Sequence, residues 1–303
     1  MGPLVELKRR IQASYLAVML IWSTTPLAIQ WSATKVDFLF GVSSRMVIGL
    51  VIALMLMRFL GLSFHTHRKA LQTYLAAGLG IFGAMICVYW GAQYIPSGWI
   101  SVLFGLTPIM TGLMARRYLG EHALSGKRLV GVFLGIAGLV VVFWGSLHFS
   151  ADAWLGVAAL MIAVTLHSVS TVWTKAVGWQ GHGVEITAGA LVVAVPLYLI
   201  TWWLSGGHWP EVIPLKAALS ILYLGSVATV LGFGAFYYVL RHVDATRVAL
   251  LTLMTPIIAL WLGSWLNEEK LTWMVVAGTL LILSGLILYE SGERHGKGAG
   301  GKL

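Results

Sequence analysis

The chain has 303 residues, 58% of them hydrophobic and only 10% charged, against roughly 25% charged in an ordinary soluble domain. That balance excludes water as the main solvent and leaves no stretch for a soluble catalytic domain. The net charge of +9 argues for lipid headgroups and against nucleic acid, because the Lys and Arg residues sit at the ends of apolar runs and form no single basic face.

A bilayer core of ~30 Å takes ~20 apolar residues per helix. Ten such runs lie near 11–33, 38–60, 70–92, 97–118, 128–147, 153–175, 184–205, 215–240, 244–266 and 270–290. The predicted fold is therefore all-α and integral to the membrane, with ten transmembrane helices. With the N-terminus inside, the cytoplasmic connections carry 16 of the 20 Lys and Arg residues, and only Lys35, Arg45, Lys216 and Lys270 fall toward the other side. The bias predicts an N-in, C-in, multi-pass protein of the inner (plasma) membrane. The basic triplet Lys8-Arg9-Arg10 before the first run imitates a signal peptide, but the run is too long for one and nine more follow, so an uncleaved span is expected. Cys87 stands alone, which rules out an intrachain disulfide.

Part of the sequence occurs twice. Leu103, Thr107, Pro108, Ile109 and Glu121 recur 148 positions later as Leu251, Thr255, Pro256, Ile257 and Glu269. After one deleted residue, Gly131, Leu134, Gly138 and Leu139 recur as Gly278, Leu281, Gly285 and Leu286. The first copy carries Arg116, Arg117, Lys127 and Arg128 around its Glu, whereas the second has only Lys270 beside Asn267, Glu268 and Glu269. An odd number of helices per copy and this charge asymmetry predict two inverted five-helix repeats, 11–147 and 153–290, followed by a disordered cytoplasmic tail, 291–303. Inverted halves are the architecture of secondary transporters, with substrate bound where they meet.

Gly105-Leu106-Thr107-Pro108-Ile109 through Glu121, and Met254-Thr255-Pro256-Ile257 through Glu269, each followed by a Gly-containing apolar helix, resemble the drug/metabolite transporter superfamily. The likeness is greatest to its ten-helix members with tandem EamA domains. Trp22-Ser23 and Ser44-Arg45 are similar to earlier landmarks of that family, and the match covers about residues 11–290. The resemblance implies export of amino acids, aromatic ones included, and of related metabolites. The chain departs from many members at His167-Ser168, where they carry Trp-Gly, and at Glu268 before the second Glu.

Pro108 and Pro256 each fall near the centre of a run, where proline removes a backbone donor and displaces the carbonyl four residues earlier. The freed acceptors of Phe104 and Thr252, with the hydroxyls of Thr107 and Thr255, would surround a midplane cavity able to hold an ammonium group. Pro26 would free the Trp22 carbonyl in the same way. Most of the 14 Trp residues lie toward span ends and suit the interfacial belt. Trp22, Tyr89, Trp90, Tyr237 and Tyr238, with Gln93 at the mouth of span 3, are deeper or lie on spans that the resemblance places around a cavity. His167, midway through span 6, is read as the one ionisable side chain inside the membrane, a functional residue by default. Arg45, two turns into span 2, is expected to snorkel outward. Gly131 and Gly135 make a small-residue packing face.

All 11 acidic residues fall at span ends or in connections, which leaves no mid-membrane carboxylate for ion coupling. Glu121 and Glu269 are expected to fix helix ends. No cofactor or metal site is expected, and the expected partners are a small-molecule substrate and membrane lipid, with a monomer as the working unit. The leading expectation is an exporter of small metabolites, foremost amino acids, working by alternating access. A multidrug or lipophilic-cation exporter is the alternative. An integral-membrane transferase is more distant, resting only on His148 and Asp152 between the halves, and a channel does not explain paired prolines.

Overall fold

A computed structural model describes residues 3–95, 97–121, 126–143 and 152–252, together with short stretches and single residues from 255 to 288. All regular structure among them is helical. In chain order the helices are α1 (Pro3–Ser32), α2 (Phe38–Phe59), α3 (Arg68–Gly91), α4 (Ser97–Phe104), α5 (Thr107–Leu119), α6 (Gly126–Phe143), α7 (Ala153–Val177) and α8 (Gly183–Leu204). There follow α9 (Leu215–Tyr223), a π-helical run (Leu224–Leu231), α10 (Gly232–His242) and α11 (Ala245–Ala249). Six segments are long and apolar enough to cross a bilayer: Val5–Ser32, α2, α3, Trp154–Val177, α8 and the rod Leu215–His242.

Local chemistry sets the boundaries. The Asp37 carboxylate accepts the backbone N–H groups of Leu39 and Phe40 at 2.8 and 3.1 Å and so caps α2. His67 and His182 do the same for α3 and α8 through Nδ1, which relieves donors that a helix start leaves unmatched. Burial and the neighbouring Arg241 cation hold the His182 imidazole below its usual pKa, which favours the neutral, accepting ring. Gly120 and Gly178, at φ of 65° and 66°, end α5 and α7 in the left-handed conformation open to glycine.

Two expected spans are interrupted. The run 97–118 divides at Gly105-Leu106 into α4 and α5, and Pro108 sits in the first turn of α5 instead of kinking a continuous helix. Proline suits that position because the first N–H groups of a helix have no internal acceptor. The run 215–240 holds the π segment at its centre, a locally widened turn that often marks a functional site. About half of spans 9 and 10, together with Pro256, Glu269, His148 and the tail, lies outside the described residues.

Glycines govern the packing, since lipid supplies no hydrophobic drive between helices. A Cβ on Gly80 would lie 2.0 Å from the Ser170 hydroxyl, and one on Gly91 would strike Leu160, so α3 meets α7 backbone to backbone. The Ser170 hydroxyl donates to the Ala76 carbonyl at 2.9 Å across that seam. Between α6 and the helical residues near 276–285, a Cβ on Gly138 would lie 2.6 Å from the Gly278 carbonyl oxygen. One on Gly285 would lie 2.5 Å from that of Gly131. Gly131 thus pairs with Gly285 and Gly138 with Gly278, which makes the two helices antiparallel, and repeat-related glycines exchange partners as across a two-fold axis.

Outward faces carry exposed Leu16, Leu20, Met55, Ile162, Ile200 and Leu219, a surface suited to acyl chains and far too apolar for water. Gly138→Leu or Gly285→Leu should each destabilise the protein by about 1–3 kcal/mol through overpacking, whereas Gly126→Ala, whose added carbon meets nothing within 4 Å, should be silent. Thermal midpoints of the detergent-solubilised variants check this.

Candidate functional site

A cavity opens between α1, α2, α3, α4, α7 and α10, with about 630 Å³ of free space including its mouth. Trp22, Thr25, Pro26 and Ile29 line it along α1, Ser101 and Phe104 from α4, His167 from α7, Phe233 from α10, and Thr252 and Thr255 beyond α11. A smaller pocket of about 260 Å³ shares His167 and Phe233 and adds Gly80, Ser170, Phe236 and Tyr237.

One wall is aromatic. The Trp22 ring meets Phe236 at 5.2 Å, Phe233 at 5.6 Å and His167 at 6.1 Å between centroids. His167 also packs on Phe236 at 5.6 Å and on Phe104 at 6.1 Å. A Cβ on Gly232 would lie 2.9 Å from the Trp22 indole nitrogen, so the glycine makes room for that ring. The His167 imidazole has no hydrogen-bond partner among the described residues. Thr111 donates to Ser168 at 3.0 Å and ties α5 to α7 beside it.

Three threonine hydroxyls around the cavity share one arrangement. Thr25 donates to the Ile21 carbonyl at 3.0 Å, Thr252 to Ala249 at 2.8 Å and Thr255 to Thr252 at 3.2 Å. Each spends its proton on its own helix and keeps lone pairs for an incoming donor.

Arg45 corrects two expectations. It does not snorkel outward: its side chain is 1% exposed, heads the largest fully buried residues and lines the cavity. His167 is therefore not the one ionisable group inside the bundle. Nε of Arg45 donates to the Thr229 hydroxyl at 3.0 Å and an Nη to the Tyr89 hydroxyl at 3.4 Å. Thr229 lies in the π segment, and Gly49 and Gly225 bring α2 against it: a Cβ on Gly225 would meet the Arg45 carbonyl oxygen at 2.9 Å. Gly41, Arg45 and Gly49 follow at i, i+4 and i+8, one helix face. Small residues above and below marked that face as a contact surface, a legible sign that the arginine points inward.

The other expected site residues divide. Trp22, His167 and Thr255 line the main cavity, Tyr237 lines the smaller one, and Tyr89 stands behind Arg45. Thr107 and Pro108 are buried at the start of α5 outside the cavity lining, and the Thr107 hydroxyl has no hydrogen-bond partner among the described residues. Trp90 packs on Tyr94 at 4.8 Å, and Gln93 is exposed and donates to the Trp90 carbonyl. Tyr238 lies against His242 and Arg241 at the end of α10. Pro256 is not among the described residues.

Carboxylates brace one end of the bundle, away from the cavity. Glu185, 2% exposed in the first turn of α8, accepts from the backbone N–H of His65 at 2.9 Å and the Tyr74 hydroxyl at 2.7 Å, and contacts the His65 ring at 2.8 Å. Glu121 accepts from Ala245, Thr246 and the Thr246 hydroxyl and caps α11. Lys175 donates to the Leu240 and Val243 carbonyls.

An apolar helical bundle enclosing a cavity with one buried cation, an aromatic wall and hydroxyl acceptors belongs to the class of multi-pass membrane transporters. The model of the EamA-like transporter family matches residues 12–144 and 154–290, and the chain belongs to that family. A relative in Escherichia coli described as a probable amino-acid metabolite efflux pump is 28% identical over 67% of this chain and 70% of its own length. An uncharacterized transporter of Archaeoglobus fulgidus is 29% identical over 69% and 75%. A probable terminal-alkyne amino-acid exporter of Streptantibioticus cattleyicolor is 24% identical over 71% of each. A solved crystal structure superposes with a TM-score of 0.78 over 94% of this chain and 98% of its own, at 18% identity, a likeness of fold.

Glu185→Leu should cost about 1–3 kcal/mol, because it strands the Tyr74 hydroxyl and the His65 N–H. Glu185→Gln, which keeps an acceptor, should cost less than half of that in the same thermal unfolding series.

Proposed function

We propose that the protein is a secondary exporter of amino acids, aromatic ones included, and that it moves them by alternating access around this cavity. It acts in the inner membrane as ten helices in two inverted halves, with both termini inside. It is a carrier and not an enzyme. The observation that carries the proposal is the make-up of the cavity. An aromatic wall at Trp22, Phe104, His167 and Phe233 suits an apolar or aromatic side chain, and hydroxyl lone pairs at Thr25, Thr252 and Thr255 suit an ammonium group. The names of two relatives, a probable amino-acid metabolite efflux pump and a probable terminal-alkyne amino-acid exporter, point to the same cargo.

The exchanged glycine pairs, Gly131 with Gly285 and Gly138 with Gly278, support halves of opposite sense. The lining along α1 runs from Trp22 toward its C-terminal end, whereas Glu185 and Glu121 brace the far end. That asymmetry supports an outward-facing state, closed below by ties from α3 and its preceding loop to α8 and from α5 to α11. Rocking one half against the other would release those ties and close the upper mouth.

Purified protein in liposomes should move L-phenylalanine and L-tryptophan down their gradients. His167→Ala should lower that flux about tenfold, the worth of one ring contact of ~1.4 kcal/mol, with the thermal midpoint kept. Wild-type vesicles that pass no amino acid would sink the proposal.

A further inference from the structure

We propose that Arg45 is the carboxylate anchor of the cavity: cargo must present a carboxylate to its guanidinium, and lipophilic cations are excluded. The assignment rests on the cavity being the transport site.

A guanidinium buried among helices carries a large desolvation cost unless an anion or a full set of acceptors meets it. The partners Arg45 has are two neutral hydroxyls, Thr229 and Tyr89, with the Tyr89 ring 5.9 Å from the guanidinium carbon. Two of five N–H groups are thereby used, on the side facing helices α3 and α9–α10, and the side chain borders the cavity. No carboxylate reaches it among the described residues. Among the described acids, Glu185 is engaged with His65 and Tyr74, Glu121 with the start of α11 and Asp37 with the start of α2. The cation is thus held in place with no countercharge among the described residues. A carboxylate supplies that charge, and its two oxygens match the planar fork of a guanidinium in a way no other common metabolite group except phosphate does.

The setting makes the guanidinium rigid. Gly49 and Gly225 bring α2 and the π segment so close that a side chain on either would collide, and Thr229 holds Nε from the widened turn. A preorganised charge costs little to reorient when cargo arrives. The same charge repels a cation, so the aromatic wall alone does not admit tetraphenylphosphonium-like molecules. With the hydroxyl lone pairs of Thr25, Thr252 and Thr255 available to an ammonium, the cavity offers opposite chemistry at two places, as a zwitterion needs.

The test is a binding and flux series on the purified full chain with L-phenylalanine, L-phenylalaninamide, 3-phenylpropionate, phenethylamine and inorganic phosphate. On wild type, 3-phenylpropionate should displace labelled L-phenylalanine, and L-phenylalaninamide and phenethylamine should do so at least tenfold more weakly. Phosphate, too small and polar for the aromatic wall, should not compete. Arg45→Gln should weaken binding of L-phenylalanine and 3-phenylpropionate about 10- to 100-fold, the range for a charged hydrogen-bonded pair, and Arg45→Lys by less. Equal competition by the amide in wild type, which needs no variant to fold, would overturn the anchor, as would undiminished binding by a folded Arg45→Gln protein. If carboxylates bind through Arg45 but none crosses the membrane, the anchor stands and export fails. If L-phenylalanine and its amide cross equally fast, export stands and the anchor falls.

Discussion

A positive charge held inside a lipid-embedded bundle constrains everything around it. Arg45 cannot reach water along its own helix, because Gly41 and Gly49 on the same face are pressed against neighbouring backbone. Its hydration must come from protein groups and from the cavity. The Thr229 and Tyr89 hydroxyls supply part of this, and the open volume beside the guanidinium supplies the rest. The cavity is therefore more than a packing void, for a dry apolar hole next to an unpaired cation would be prohibitively costly. The close approach of α2 to the π segment, the wide turn at Leu224–Leu231 and the open space at the bundle centre form one physical unit.

From that unit the remaining features follow. α1 crosses α10 beside it, and Gly232 leaves room for the Trp22 indole, which seats the ring against Phe233, Phe236 and His167. α7 is drawn close to α3 by Gly80 and Gly91 and to α5 by the Thr111–Ser168 bond, which fixes the height of His167 at the junction of the two pockets. Among the described residues the acidic side chains stay at the periphery, where Glu185 and Glu121 serve backbone N–H groups and hydroxyls. The described residues at the centre are cationic or neutral. Ties between segments far apart in sequence at one end, and a lined space toward the other, are what a molecule with two alternating openings would need.

Much of this was legible in the sequence, for identifiable reasons. Apolar runs revealed the helices because hydropathy and length are local quantities. His167 stood out because an imidazole is expensive at that depth, and Glu121 because it ends a helix. Adjacent aromatics were harder. Tyr237 and Tyr238, like Tyr89 and Trp90, are about 100° apart around a helix, so only one of each pair faces inward, and periodicity alone did not say which. Arg45 was misjudged because its distance from the helix end allowed snorkelling. The glycines at i−4 and i+4 carried the opposite message. The break at Gly105-Leu106 and the π run have tertiary causes: Thr107-Pro108 starts a helix as readily as it bends one, and Leu224–Leu231 reads as an ordinary helical stretch.

The buried Arg45 guanidinium requires a water-filled, positively biased cavity at the heart of the bundle. Its most direct measurement uses Ser101→Cys in a Cys87→Ala background, reconstituted in sealed vesicles of known orientation and exposed to a membrane-impermeant anionic thiol reagent. Labelling is expected from one side only, faster than by a cationic reagent of equal size, and slowed by L-phenylalanine. Failure of the anionic reagent to reach Ser101→Cys from either side, while a lipid-soluble maleimide does, would contradict it.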